Sequence, residues 1–129
     1  MGWTNSFQIM HGDITHILQD EIPDHTIPYA DDVPIKGPKT RYELEGGGYE
    51  THPDNPGVRR FVWEHLNNVN RILHRVGTMG GTFSAKKFVL CVPSAEIVGH
   101  RCTYEGRVAD PARVQRIKDW PECESLTDV

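Results

Sequence analysis

The chain has 129 residues, 37% of them hydrophobic and 25% charged, with a formal net charge of −4, which is the length and balance of one ordinary globular domain. It contains no apolar run long enough to cross a bilayer and no signal-peptide succession at its N-terminus, so the expected address is cytoplasmic or nuclear. Cys91, Cys102 and Cys123 are scattered and form no C-x-x-C, which argues against both a disulfide framework and a zinc site.

Taken in chain order, the spacing of Phe7, Met10, Ile14, Ile17 and Leu18 predicts a helix from about Ser6 to Gln19, closed by Pro23 and Asp24. Thr26 to Ile35 carries two short apolar arms around an acid pair, the pattern of a hairpin with its carboxylates at the bend. Pro28 and Pro34 each remove a ladder donor, so that hairpin should be short or at a sheet edge. The polar stretch from Gly37 to Gly57, with Gly46-Gly47-Gly48, reads as a long loop.

A second helix is predicted from about Val58 to Val76, with an apolar stripe of Val62, Leu66, Val69, Leu73 and Val76 turned toward a core. Gly77 and Gly80-Gly81 end it. Thr82 to Val92 and Glu96 to Thr103 are predicted strands. Asp110 as cap and Pro111 in the first turn open a last helix, which continues through Arg113 to Trp120 and stops at Pro121. Trp120 is expected to anchor it by burial. The alternation of helices and hairpins predicts an α+β fold.

Asp31 and Asp32 are the residues that point to chemistry. Two confined neighbouring carboxylates repel each other and call for a counter-charge. Mg²⁺, which takes oxygen ligands and is often held by one or two carboxylates plus substrate phosphates, suits them. An Asp-Asp pair in a turn is also an ordinary solvated feature, so the dipeptide needs its context.

That context is a resemblance. Tyr29-Ala30-Asp31-Asp32 resembles the Y-x-D-D box of reverse transcriptases. Gly2-Trp3-Thr4-Asn5-Ser6 resembles the glycine-led segment before the helix that lies beneath template and incoming nucleotide, and Phe83-Ser84-Ala85-Lys86-Lys87 the lysine-bearing loop after the next palm helix. Val98-Gly99-His100 with Glu105-Gly106 resembles the L-G-H…x-G segment whose hairpin grips the primer terminus. Asp110-Pro111 through Trp120-Pro121 resembles the D-P-x-K-V-x-x-I-x-x-W-P start of the thumb. The matches follow the order seen in gypsy-type LTR retrotransposons, and the glycine-rich insert suggests a fungal lineage.

The resemblance implies a partial reverse-transcriptase palm, an antiparallel sheet packed on helices, over 1–107, with residues 37–57 as an insert and the start of the thumb over 108–129. It implies that Asp31 and Asp32 are catalytic metal ligands for Mg²⁺, two ions in the full-length parent, with Mn²⁺ as an alternative. Lys87 is similar in placement to the lysine that attends the incoming triphosphate, where a positioned donor meets developing negative charge. Tyr29, Ala30, Gly2, Asn5, Gly99 and His100 are implied contacts to nucleotide or primer. The implied partners are an RNA/DNA template-primer and a dNTP, with fingers, RNase H and integrase segments expected in the parent polyprotein and no membrane.

The sequence also departs from the family. The third metal-binding aspartate, carried upstream of the box in relatives, and the fingers are absent, so the expectation is a chain that does not polymerise DNA alone. The formal charge of −4 fits a main template grip lying elsewhere. Two other classes stand beside this reading: a non-catalytic retroelement remnant that binds nucleic acid or a partner, and a small metal-binding domain built from His52, His65, His100 and the cysteines.

Overall fold

The computed structural model describes residues 5–109 and 111–120. They are mixed α and β and fall into two compact units divided between Cys91 and Val92. Asp110, expected as a helix cap, Pro121 and Cys123 lie outside the described residues, as does Gly2.

In the first unit, α1 spans Ser6–Ile17 and runs into a single 3₁₀ turn at Gln19–Glu21. Helix α2 spans Arg60–Thr78. Leu18, Ile72 and Val76 meet at the centre, with Ile14, Ile17, Ile22, Val33 and Ile35 packed around them. The sequence stripe located this face but missed its middle. Ile72 is wholly buried, whereas Leu73 is only partly covered. Positions 65, 69, 72 and 76 repeat at helical spacing as well as 62, 66, 69, 73 and 76 do, so periodicity alone does not decide between them. The partner does, because α1 ends opposite Ile72. Helix α2 closes in a Schellman arrangement: Gly80 takes φ 83°, its N–H donates to Gly77 O at 3.0 Å, and Gly81 N–H donates to Val76 O at 2.9 Å.

The insert is more than a loop. Strands β1 (Thr51–His52) and β2 (Asn55–Arg59) form a two-stranded antiparallel sheet that leads directly into α2. Before it, Gly47 and Gly48 take φ near 90°, and Glu43 bridges Tyr49. Side chains hold the insert down. The Tyr42 hydroxyl donates to Glu64 at 2.8 Å, Arg60 reaches Glu64 and Glu50 at 3.0 and 2.8 Å, and the Tyr49 ring meets Phe61 edge-on. The glycines signalled a loop, but the aromatic and charged residues between them supply a small satellite cluster.

The strand predicted over Thr82 to Val92 does not form. Ser84 to Lys87 is a turn, with Lys87 N–H on Ser84 O at 3.0 Å, and Phe88, Val89, Leu90 and Val92 are exposed in irregular backbone. Strand propensity is a preference for a pleated, half-buried surface, and here no neighbouring strand supplies one.

In the second unit, β3 (Ser94–Ile97), β4 (His100–Thr103) and β5 (Arg107–Val108) make a three-stranded antiparallel sheet. The single strand expected from Glu96 to Thr103 is therefore two, joined by Val98 and Gly99 at φ 49° and 70°. Positive φ at both positions is the two-residue turn that matches strand twist. Helix α3 spans Pro111–Lys118 with no buried residue. Trp120, expected to be an anchor, is 67% exposed. An aromatic ring is buried only where something covers it, and among the described residues of its unit nothing does. Among the described residues no helix is long and apolar enough to cross a membrane.

Candidate functional site

The acid pair sits at the tip of a hairpin that rises from the end of α1. Thr26 bridges Ile35 and Tyr29 bridges Asp32. Tyr29 N–H donates to Asp32 O and Asp32 N–H to Tyr29 O, both at 2.9 Å, which leaves Ala30 and Asp31 as a two-residue bend. Ala30 holds φ 54°, a left-handed conformation that costs an L-residue about 1–2 kcal/mol. The bend places Asp31 and Asp32 in solvent side by side.

The hairpin belongs to neither sheet, and its prolines explain why. The register of its two bridges sets Ile27 opposite Pro34, where Pro34 has no N–H to give. The Pro34 carbonyl is met instead by the Thr26 hydroxyl at 2.8 Å, and Thr26 is fully buried. Below this, Lys36 N–H donates to His25 O at 2.8 Å and closes the base. Between base and tip the arms rely on packing, through Val33 and Ile35 on the core.

Tyr29 is 52% exposed, and its ring lies edge-on to Phe7, with centroids 6.3 Å apart. This contact sets the first turn of α1 beside the bend. Asn5, the residue that opens α1, makes no side-chain capping bond. The structure thus gathers Tyr29, Ala30, Asp31 and Asp32 and sets the head of α1, with Asn5, near them. Lys87 lies on the separate Ser84–Lys87 turn of the same unit, and no hydrogen bond or ion pair joins its ammonium to the acid pair. Gly99, in the β3–β4 turn, and His100, which opens β4, belong to the second unit.

The donor set suits a hard cation. Two exposed carboxylates with no cationic side chain bonded to them among the described residues can accept Mg²⁺ or Mn²⁺. Among the described residues no three His, Cys, Asp or Glu gather as a metal site. Two histidines of the alternative metal-binding reading have other partners: His52 accepts from Asp54 N–H at 3.2 Å and tilts against Trp63, while His65 faces the Lys36 carbonyl at 3.3 Å.

One residue of the site's support went unread in the sequence. Glu21, 2% exposed, receives both forks of Arg71, Nε at 2.6 Å and the terminal nitrogen at 2.7 Å, and Arg75 Nε lies 3.3 Å away. The Arg71 bonds, outweighing the cost of burial, hold its carboxyl below the usual glutamate range. Its only sequence signal was an acid at the end of a helix, with two arginines four apart some fifty residues on.

Comparison with family models, with curated proteins and with solved structures found no match to this chain.

Proposed function

We propose that the chain is part of an RNA-directed DNA polymerase of the gypsy retrotransposon type, and that its acid hairpin presents Asp31 and Asp32 to Mg²⁺ beside the primer terminus. What carries this reading is the tip itself: a bend through left-handed Ala30 that holds two adjacent carboxylates in solvent, with no cationic partner among the described residues. The motifs that resemble the family, in the family's order along the sequence, support it.

Within this reading Asp31 and Asp32 would hold the metal through their carboxylates, and the metal when bound would supply charge stabilisation for phosphoryl transfer. Tyr29 and small Ala30 would flank the primer strand, and Asn5, two residues before the Phe7 that meets Tyr29, makes no side-chain capping bond. Lys87 would attend the triphosphate, a role that Lys87→Ala tests in a polymerising form.

The test is a Mn²⁺ titration of the full chain, following paramagnetic broadening of backbone amide signals. Broadening should centre on residues 29–33 and disappear in an Asp31→Asn/Asp32→Asn double variant. Broadening spread over the surface, or unchanged in the double variant, sinks the metal-binding reading. The remnant alternative is favoured by the lack of a third clustered ligand among the described residues. It predicts RNA–DNA hybrid affinity that survives the double substitution and falls with salt.

A further inference from the structure

We infer that Glu21 is a positioning residue for the acid hairpin: clamped by Arg71 and Arg75 of α2, it anchors both arms of the hairpin whose tip carries Asp31 and Asp32. The inference rests on the metal-binding reading of that tip, which gives the positioning its purpose.

A glutamate in a short turn between two elements ordinarily stays in water, because a buried carboxylate must replace its hydration with hydrogen bonds. Glu21 is instead almost fully buried, and the Arg71 fork meets both of its oxygens. Arg71 is itself steadied by Asn68 Oδ1 at 3.0 Å, and Arg75 by Asp20 at 2.9 Å. Bidentate arginine–carboxylate pairing fixes orientation as well as distance, so the Glu21 side chain is locked to one position along α2.

The main chain of the same residue carries that position to the hairpin. Glu21 O accepts from His25 N–H at 2.8 Å and from Thr26 N–H at 3.2 Å, at the foot of the outgoing arm. Thr26 then passes its hydroxyl to Pro34 O on the returning arm, and His25 O takes Lys36 N–H. Both arms are therefore tied to Glu21 within two links.

This footing matters because, beyond side-chain packing of Val33 and Ile35, the arms have few hydrogen bonds to hold them. Pro28 and Pro34 bring no ladder donors, and only the Tyr29–Asp32 pair closes the tip. A hairpin with a continuous ladder would keep its shape if its foot loosened. This one would not, and displacements near 1 Å are enough to spoil a metal and substrate geometry.

The experiment uses the full chain with Glu21→Gln, Arg71→Lys and the milder Arg75→Lys, which leaves the two-pronged Arg71 pairing intact. Two quantities are read: hydrogen exchange of the Asp32 amide without metal, and Mn²⁺ affinity. Exchange of α2 amides serves as the internal control for folding. Glu21→Gln and Arg71→Lys should each speed Asp32 exchange at least about tenfold and weaken Mn²⁺ binding about tenfold, while α2 stays protected. Arg75→Lys should fall between these and the parent.

Unchanged Asp32 exchange and Mn²⁺ affinity with α2 protected would overturn the inference. So would equal loss of protection across α2 and the hairpin in all three variants, which is what a merely stabilising ion pair would give. If the parent chain binds no Mn²⁺ at the acid pair, the metal-binding reading fails, and the Asp32 exchange still decides whether Glu21 holds the hairpin.

Discussion

Arg71 and Glu21 stand fifty positions apart in sequence and meet through two hydrogen bonds of 2.6 and 2.7 Å, the carboxylate buried and the guanidinium 41% exposed in its side chain. The pair joins α2 to the turn from which the acid hairpin rises. With Leu18, Val69, Ile72 and Val76 forming a small buried apolar core, joined by buried Pro28, a polar link of this kind carries a visible share of the first unit's stability.

Arg71→Ala leaves the Glu21 carboxylate buried with Arg75 at 3.3 Å and His25 nearby but without its two-pronged partner. The expected cost is about 2 kcal/mol, between that of a surface pair and that of a fully buried one. Because the folded Glu21 carboxyl titrates below its usual value of 4.5, its contribution is fully present above that value. It is lost as pH falls through the lowered folded value. Thermal melts from pH 6 downward should therefore show a loss of stability below about pH 4.5 that is smaller in Glu21→Gln. Equal slopes in parent and variant would refute the assignment.

Ile72→Ala should cost about 3 kcal/mol and Leu73→Ala about 1 kcal/mol or less, since Ile72 is wholly buried and Leu73 is not. Denaturant unfolding of the two variants decides which apolar face of α2 meets the core. A reversed order would restore the stripe through Leu73.

Ala30→Gly should stabilise the chain by about 0.5 kcal/mol, the relief of left-handed strain exceeding the greater freedom of glycine in the unfolded state. Ala30→Val should destabilise it, because a β-branched side chain fits φ 54° poorly. Melting temperatures moving together in the same direction would argue against the left-handed bend.

Tyr42 offers a spectroscopic check on the insert. Its hydroxyl donates to Glu64, and that bond, followed by desolvation, raises its pKa above 10.0. A raised folded value means that the contribution is complete below the ordinary tyrosine range and is lost as pH rises through the folded value. Absorbance titration should show a tyrosine ionising above the ordinary tyrosine range, and Glu64→Gln should lower it. A late tyrosine that survives Glu64→Gln would place the cause elsewhere.

Local signals carried a good part of the fold. The spacing of Ile14, Ile17 and Leu18 marked α1, and the apolar arms around Asp31-Asp32 marked the hairpin. Pro28 and Pro34 marked it as short, and Gly80-Gly81 marked the end of α2. Each of these is decided by residues within a few positions of one another. The candidate site was legible for the same reason, since two adjacent carboxylates at a bend are a local feature.

What the sequence could not decide was everything that needs a partner. Phe88 to Val92 has strand composition but no neighbouring strand, and Trp120 has an anchor's size but no cover. Ile72 was chosen over Leu73 by the position of α1, and Glu21 was paired by arginines far along the chain. Sequence by itself determined the helices, the turns and the acid bend, because backbone preference and side-chain spacing act over one or two turns of chain. Only the tertiary structure decided which apolar faces are buried and which charges meet, because burial and pairing depend on distances between segments that no local pattern encodes.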